Sequence, residues 1–291
     1  MIEARLNGLF PPDFAAAERV NLSRLWEGGE RPARPPASLP GIAIADARPL
    51  QARAESDAAF FEAHGFALLQ APSRVRDWGD EEAVRGVYMP EVEAMVRERL
   101  YPGRGLRLSQ PPRVMRRGAG TDNPEYGDGV HSDFGVRAED FAHNVAAFAG
   151  PEAAAQWQAG FAVEGVTGFV MLDFWRTTGM DGPLRHMPLA VCDPASVDPA
   201  DIVDTALEGI APGGALTRHI GLRFNRGQRW YHYSGMTGDE LLVFKLFELR
   251  RGEAPQLFRA CFHSAFGDPS APADAQPRQS CEHRVPVTLL D

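Results

Sequence analysis

Apolar and polar positions along this chain change period near its middle. Residues 54–64 and 80–100 carry helical spacing, the second with Val84, Val87, Tyr88, Val92, Met95 and Leu100 on one face and charged residues between them. Between the two, Gly65-Phe66-Ala67-Leu68-Leu69 is a short apolar run of the kind a buried strand makes. Further along, helical spacing gives way to short apolar or alternating runs bounded by glycine and proline, at 111–117, 129–135, 166–176, 216–224, 228–233, 240–249, 257–264 and 279–289. That is about the strand number of a jelly roll. The pattern therefore predicts a mainly β chain: a double-stranded β-helix (jelly roll) core with flanking helices.

Two longer stretches interrupt the strands. Residues 137–160, with Phe141, Val145, Phe148 and Trp157, read as one or two helices, and 192–214 as a connection rich in Pro and Asp. Either is placed to act as a lid, and a helix that plugs the barrel end is the plainer alternative. In the first fifty residues Pro11-Pro12, Pro32, Pro35-Pro36 and Pro40 forbid continuous helix. The expected organisation is an extended arm over 1–50 and a single domain over 51–291, helical over 51–105 and β-helical over 106–291.

Composition narrows the function classes. A chain of 291 residues with 44% hydrophobic content can bury a substantial core. A net charge of −9, with Lys and Arg dispersed and outnumbered, argues against a nucleic-acid partner. Cys192, Cys261 and Cys281 are too irregularly spaced for a disulfide framework or a zinc ribbon, which fits free thiols in a reducing cytoplasm. The amino terminus has no basic region leading into an apolar run, and no stretch approaches a membrane span. A soluble cytoplasmic protein acting on a small molecule is expected, with no nucleic-acid or membrane partner and with a homodimer left open.

The candidate chemistry starts at His131-Ser132-Asp133. In a strand, residues i and i+2 project to the same side, so His131 and Asp133 can chelate one ion. His263, from a second strand, would complete two imidazoles and one carboxylate, the set with which non-haem Fe(II) oxygenases leave positions open for cosubstrate and dioxygen. After His263 the chain runs through a proline-rich link to Arg278-Gln279-Ser280-Cys281-Glu282-His283-Arg284. In a strand, Arg278, Ser280, Glu282 and Arg284 share one face. Such a stripe is costly in an interior unless its charges are paired, and outward it is ordinary solvated surface. Beside a metal site, Arg278 and Ser280 suit a further task, holding the remote carboxylate of 2-oxoglutarate through a guanidinium fork and a hydroxyl.

Other positions carry weaker signals. Arg116, Tyr126, Trp175 and Arg176 adjoin the proposed metal strands and are candidates for substrate or cosubstrate binding, or else barrel packing with surface arginines. Gly118-Ala119-Gly120-Thr121-Asp122-Asn123 runs into Pro124 instead of opening a helix, so it is no dinucleotide fingerprint. His143, His186, His219, His232 and His283 lack partners at ligand spacing and read as structural or surface groups.

Five blocks in order, Val130-His131-Ser132-Asp133, Phe174-Trp175-Arg176, Trp230 to Lys245, His263 to Pro269 and Arg278 to Arg284, resemble the cephamycin hydroxylase/desaturase-like (CmcJ/AsaB-type) family over roughly residues 85–288. The resemblance implies a double-stranded β-helix oxygenase using Fe(II), with 2-oxoglutarate and O2 as cosubstrates, on secondary metabolites. It carries iron binding onto His131, Asp133 and His263 and cosubstrate binding onto Arg278 and Ser280. Two departures bear on the substrate: Asp173 stands where the family tends to have Asn, and Phe247-Glu248 where it has Asp-Ser. The expectation is hydroxylation or desaturation of a small specialised metabolite. The alternatives are an iron enzyme of the same fold that oxidises or isomerises without consuming 2-oxoglutarate, a zinc hydrolase on the same ligands, and a non-catalytic jelly-roll scaffold.

Overall fold

The runs with no polar alternation become central strands. In the computed structural model, which describes residues 1–15, 18–22, 41–111, 113–121, 123–253 and 257–291, the strands are β1 (Ile2–Ala4), β2 (Val20–Asn21), β3 (Ile42–Asp46), β4 (Phe66–Gln70), β5 (Gly105–Leu108), β6 (Met115–Arg117), β7 (Val166–Thr177), β8 (Leu189–Cys192), β9 (Ile202–Leu207), β10 (Thr217–Leu222), β11 (Trp230–His232), β12 (Glu240–Arg250), β13 (His263–Ala265) and β14 (Ser280–Leu290). A large sheet runs β4-β12-β7-β14-β5, with β6 also paired to β14. β7 is covered on both faces, which is why its sequence reads as a nearly unbroken apolar run.

Facing it are two smaller sheets, β1-β3-β11-β8-β13 and β10-β9-β2. Single antiparallel bridges, His131 to His263 and Ser132 to Ile220, join them through residues 131–132. The curled sheets form the expected jelly roll, and the metal-candidate segment is the seam of its second layer.

Helices cover the outer face of the large sheet. One is α1 (Asp57–His64), whose N-cap Ser56 accepts the Ala59 amide at 3.1 Å and whose chain reverses at Gly65, at φ 72°. The helical run 81–100 buries Val84, Tyr88, Val92, Val96 and Leu100, a strict four-residue spacing. In a regular α-helix that spacing drifts by roughly 40° per step. The run stays aligned by widening to π-helix at Val84–Tyr88 and Met95–Leu100.

α2 (Ala138–Ala149) and α3 (Pro151–Ala162) close one end of the roll. Phe141 stacks on Phe247 at 4.9 Å and meets Trp157 at 4.7 Å and Phe169 at 4.9 Å, so the insert plugs the barrel rather than hanging over it as a lid. Emptying the Phe141 site to Ala removes buried aromatic surface worth about 3–5 kcal/mol.

Several element boundaries differ from the sequence pattern. The run 129–135 is narrower than a strand, because Gly127, Gly129 and Gly135 leave only bridges around His131; a Cβ at Gly135 would lie 2.4 Å from Asp140. The run 111–117 pairs only at 115–117, and 257–264 only at 263–265. The connection 192–214 contains β9, set up by Asp193 and Asp198 capping short 3-10 turns before it. The boundary expected at residue 51 meets β3, which pairs with β1 and β11. Ala4, Leu6, Leu9, Ile42 and Ile44 pack with Val130, Ile220, Trp230, Phe262 and Phe266 as a second core behind the smaller sheets. Where they are described, the first fifty residues thus contribute the short strands β1, β2 and β3 to the smaller sheets; Pro32, Pro35, Pro36 and Pro40 lie outside the described residues.

Candidate metal centre

His131 and His263 face each other across their bridge, His131 N donating to His263 O at 3.3 Å and His263 N to His131 O at 3.0 Å. Their ring centroids are 4.5 Å apart. Ser132 points to the other side, its Oγ donating to the Leu246 carbonyl at 3.2 Å, so Asp133 returns to the side of His131. One ligand atom from each of His131, Asp133 and His263 lies within 4.8 Å of the others, a spacing that one ion fits.

The tautomers fit a metal as well. His131 Nδ1 lies 2.6 Å from the Gly129 carbonyl and His263 Nδ1 3.2 Å from the Cys261 carbonyl. A carbonyl only accepts, so each Nδ1 carries the proton and each Nε2 keeps its lone pair, the arrangement in which histidine binds metals. Burial, reinforced by the His131 charge, drives His263 down to about 3. Burial pulls His131 down as well, but it is outweighed by Asp133, 3.4 Å from its Nε2, and the pKa rises. Burial also opposes ionisation of Asp133, yet Arg284, with Nη2 3.0 Å from Oδ2, and His131 hold it well below the usual carboxylate range.

The stripe on β14 faces inward. β14 registers Ser280, Glu282 and Arg284 opposite Thr177, Trp175 and Asp173 of β7. Arg284 pairs with Asp133, and Glu282 with Arg117 at 3.0 Å. Asp173 is 1% exposed and neither carboxylate oxygen has a hydrogen-bond partner among the described residues; burial, then the Glu282 charge, raise its pKa well above the ordinary value.

Arg278 is different. It is 1% exposed and pairs with no carboxylate among the described residues; its Nη1 donates to the Met187 carbonyl at 2.5 Å, while Nε, Ser280 Oγ and Thr177 Oγ1 have no partner there. Burial lowers its pKa to about 10. Tyr126 lies 4.2 Å from its guanidinium carbon and donates its hydroxyl to the Arg278 carbonyl at 2.8 Å, and the Trp175 ring lies at 5.4 Å. Met187, which offers its carbonyl, has φ 49°, and no other described non-glycine residue has a positive φ; strain of this kind gathers at functional sites.

The remaining sequence candidates divide by face. Tyr126 and Trp175 belong with Arg278. Arg176 instead lies on the outer side of β7, over Trp78 at 5.2 Å and Tyr88 at 5.8 Å, donating to the Gly238 carbonyl, and so packs under the helices. Arg116 registers with Cys281 on that same outer side and lies beside Gly79, where a Cβ would sit 3.2 Å from its guanidinium. Neither faces the metal candidates. Asp173, Arg117, Arg284 and His219 also border this interior, though the sequence offers Asp173 only as a departure bearing on the substrate and His219 only as a structural or surface group. The alternation of β14 marked Arg284 and Glu282 as one face, but nothing local announced Arg117. His219 belongs with His131 and Asp133 because its neighbour Ile220 bridges Ser132 on the opposite side; burial, the largest influence, lowers it to about 4, and Asp133 and His131 both act on it.

A family model described as an oxidoreductase/YMDC permease-like domain matches residues 41–288. The chain belongs to this family. It is 30% identical over 119 residues to aspirochlorine biosynthesis protein N of Aspergillus oryzae, covering 40% of this chain and 47% of that protein. It is 33% identical over 135 residues to the hydroxylase/desaturase poxK of Penicillium oxalicum, covering 38% of this chain and 40% of that one. The chain thus spans less than half the length of these two relatives. The hydroxylase/desaturase asaB of Aspergillus flavus is 28% identical over 137 residues, covering 43% of this chain and 57% of asaB. Among solved structures, the iron and alpha-ketoglutarate-dependent endoperoxidase NvfI superposes with a TM-score of 0.66 at 20% identity, over 99% of this chain and 98% of that one, a likeness of fold. No described helix is long and apolar enough to cross a membrane.

Proposed function

We propose that this protein is an Fe(II)- and 2-oxoglutarate-dependent oxygenase that hydroxylates or desaturates a small specialised metabolite in the cytoplasm. One observation carries the reading: a two-histidine, one-carboxylate face shares the barrel interior with a buried arginine that lacks a carboxylate. Arg284 and Arg117 are matched by Asp133 and Glu282, and burial favours the neutral form of Asp173. Arg278 is left to be balanced, and a buried guanidinium without an anion is costly. An anionic cosubstrate offsets that cost. The hydroxylase/desaturase names of the relatives and the iron and alpha-ketoglutarate dependence of NvfI point the same way.

In this reading His131, Asp133 and His263 hold the metal, with the Gly129 and Cys261 carbonyls fixing which imidazole nitrogens face it. Fe(II) held there would supply oxygen activation: 2-oxoglutarate would be decarboxylated to succinate and CO2 with one atom of O2, and the other atom would end in the substrate's new hydroxyl or, on desaturation, leave as water with the two hydrogens removed. Arg278 and Ser280 receive the distal carboxylate through two charge-assisted contacts and a hydroxyl. Tyr126 and Trp175 hold the guanidinium in place, and α2 and α3 keep water out of the closed end of the roll.

Anaerobic titration of the Fe(II)-loaded protein with 2-oxoglutarate tests the assignment. A visible charge-transfer band that saturates at one equivalent is expected, with succinate formed once O2 is admitted. Iron binding without a band, and with activity indifferent to 2-oxoglutarate, would select the iron enzyme that does not consume it.

A further inference from the structure

The two oxygens of Asp133 have different neighbours. Oδ1 lies 3.4 Å from His131 Nε2, at the metal face, while Oδ2 lies 3.0 Å from Arg284 Nη2, an ion pair without hydrogen-bond alignment, and accepts no hydrogen bond from any other described residue. Arg284 comes from β14, the opposite layer of the roll, where it registers against Asp173, and its side chain reaches across to Asp133. Its other carboxylate contact is longer, 3.8 Å to Glu282. A carboxylate can bind a metal through one oxygen or through both, and the second mode consumes a coordination position that a chelating cosubstrate needs. Resting on the metal centre argued above, we propose that Arg284 is a positioning residue: by holding Oδ2 it keeps Asp133 a one-oxygen ligand and reserves a position for 2-oxoglutarate.

The ion pair does not exist to tighten the metal. A guanidinium beside the site repels a divalent cation, so a role in raw affinity would favour its loss. What it supplies is orientation, the usual task of groups behind a metal ligand. Asp173, which registers directly opposite Arg284, has no hydrogen-bond partner among the described residues and does not hold Arg284 within ion-pair distance. Asp133 is therefore its nearest anion.

The test compares Arg284→Met and Arg284→Gln with the native protein, each loaded with Mn(II), under anaerobic conditions. Glutamine keeps a donor for Oδ2 without the charge; methionine keeps volume alone. Arg284→Met is expected to bind Mn(II) at least as tightly as the native protein but 2-oxoglutarate at least about tenfold more weakly, the scale of lost support behind a metal ligand. Arg284→Gln should recover most of that loss. Met and native proteins with equal 2-oxoglutarate affinity, or a Gln variant as weak as Met, would overturn the proposal. If Arg284→Met does not fold, the infrared carboxylate bands of the native protein, with and without Mn(II), decide: a one-oxygen pattern is expected, and a chelating pattern overturns it. Failure of the native protein to bind Mn(II) at all would instead overturn the metal centre itself.

Discussion

Trp175 and Arg176 are adjacent in β7 and serve opposite sides of the sheet: the Trp175 ring stands 5.4 Å from the guanidinium of Arg278 inside the roll, and Arg176 lies against Trp78 and Tyr88 under the helices. Two residues that looked equivalent as site candidates therefore have different work. Arg176→Met is expected to lower the unfolding free energy by about 1–3 kcal/mol, through loss of the Gly238 hydrogen bond and the aromatic contacts. The affinity for 2-oxoglutarate should stay within about twofold. Thermal melts beside cosubstrate titrations check this; an unchanged melt with a large affinity loss would return Arg176 to the site.

Arg278 gives the converse pattern. Arg278→Leu removes a buried charge-assisted contact worth about 2–3 kcal/mol, so the 2-oxoglutarate dissociation constant should rise about thirty- to 150-fold. Ser280→Ala loses one neutral hydrogen bond, about 1 kcal/mol, near fivefold. Arg278→Leu gives up the Met187 hydrogen bond and the Tyr126 and Trp175 contacts but also relieves a buried charge that no carboxylate balances, so the apoprotein should lose little stability. Calorimetric titration and a melt on the same sample measure both.

The metal face is tested by single alanine replacements of His131, Asp133 and His263. Each is expected to abolish stoichiometric Fe(II) retention, measured by metal analysis after desalting, while leaving a folded protein. His131 and His263 should differ little in melting temperature, since their bridge is made by main-chain atoms. Asp133→Ala strands the Arg284 charge and should be the least stable of the three. Full iron occupancy in any of them would remove that residue from the ligand set.

Acid should unfold the protein through its buried histidines. Burial lowers His219 to about 4 and His283 to about 4 in the folded state, against about 6.5 unfolded. The unfolded chain binds these protons first, so stability is full above about pH 6.5 and falls as the pH drops toward 4, by up to about 3 kcal/mol for each residue. Denaturant midpoints from pH 4 to 8 should show this acid limb, and His283→Gln, which keeps a donor for Gln110, should make it shallower. A variant curve parallel to the native one would mean that His283 does not titrate on unfolding.

The sequence by itself determined the strand-rich second half, the helical insert over 137–160, and the pairing of His131 with Asp133 on one side, because each follows from a period of two or of 3.6 that local stereochemistry enforces. It also marked Ser280, Glu282 and Arg284 as one face of one strand. Which way that face turned was decided only by packing: β14 lies between β7 and β5, its outer side is taken by Cys281 and His283 under the helices, and the polar side is left for the interior. The same folding chose Arg117 over Arg116 and Trp175 over Arg176, since a strand's alternation fixes that neighbours diverge but not which of them meets the core. Strand β9 and the strands of the first fifty residues escaped the pattern because, at two to six residues each, they are too short to establish a period. The meeting of His131 with His263, and of Arg284 with Asp133, joins distant parts of the chain through a bridge and a reach across the roll, and no local rule spans that separation.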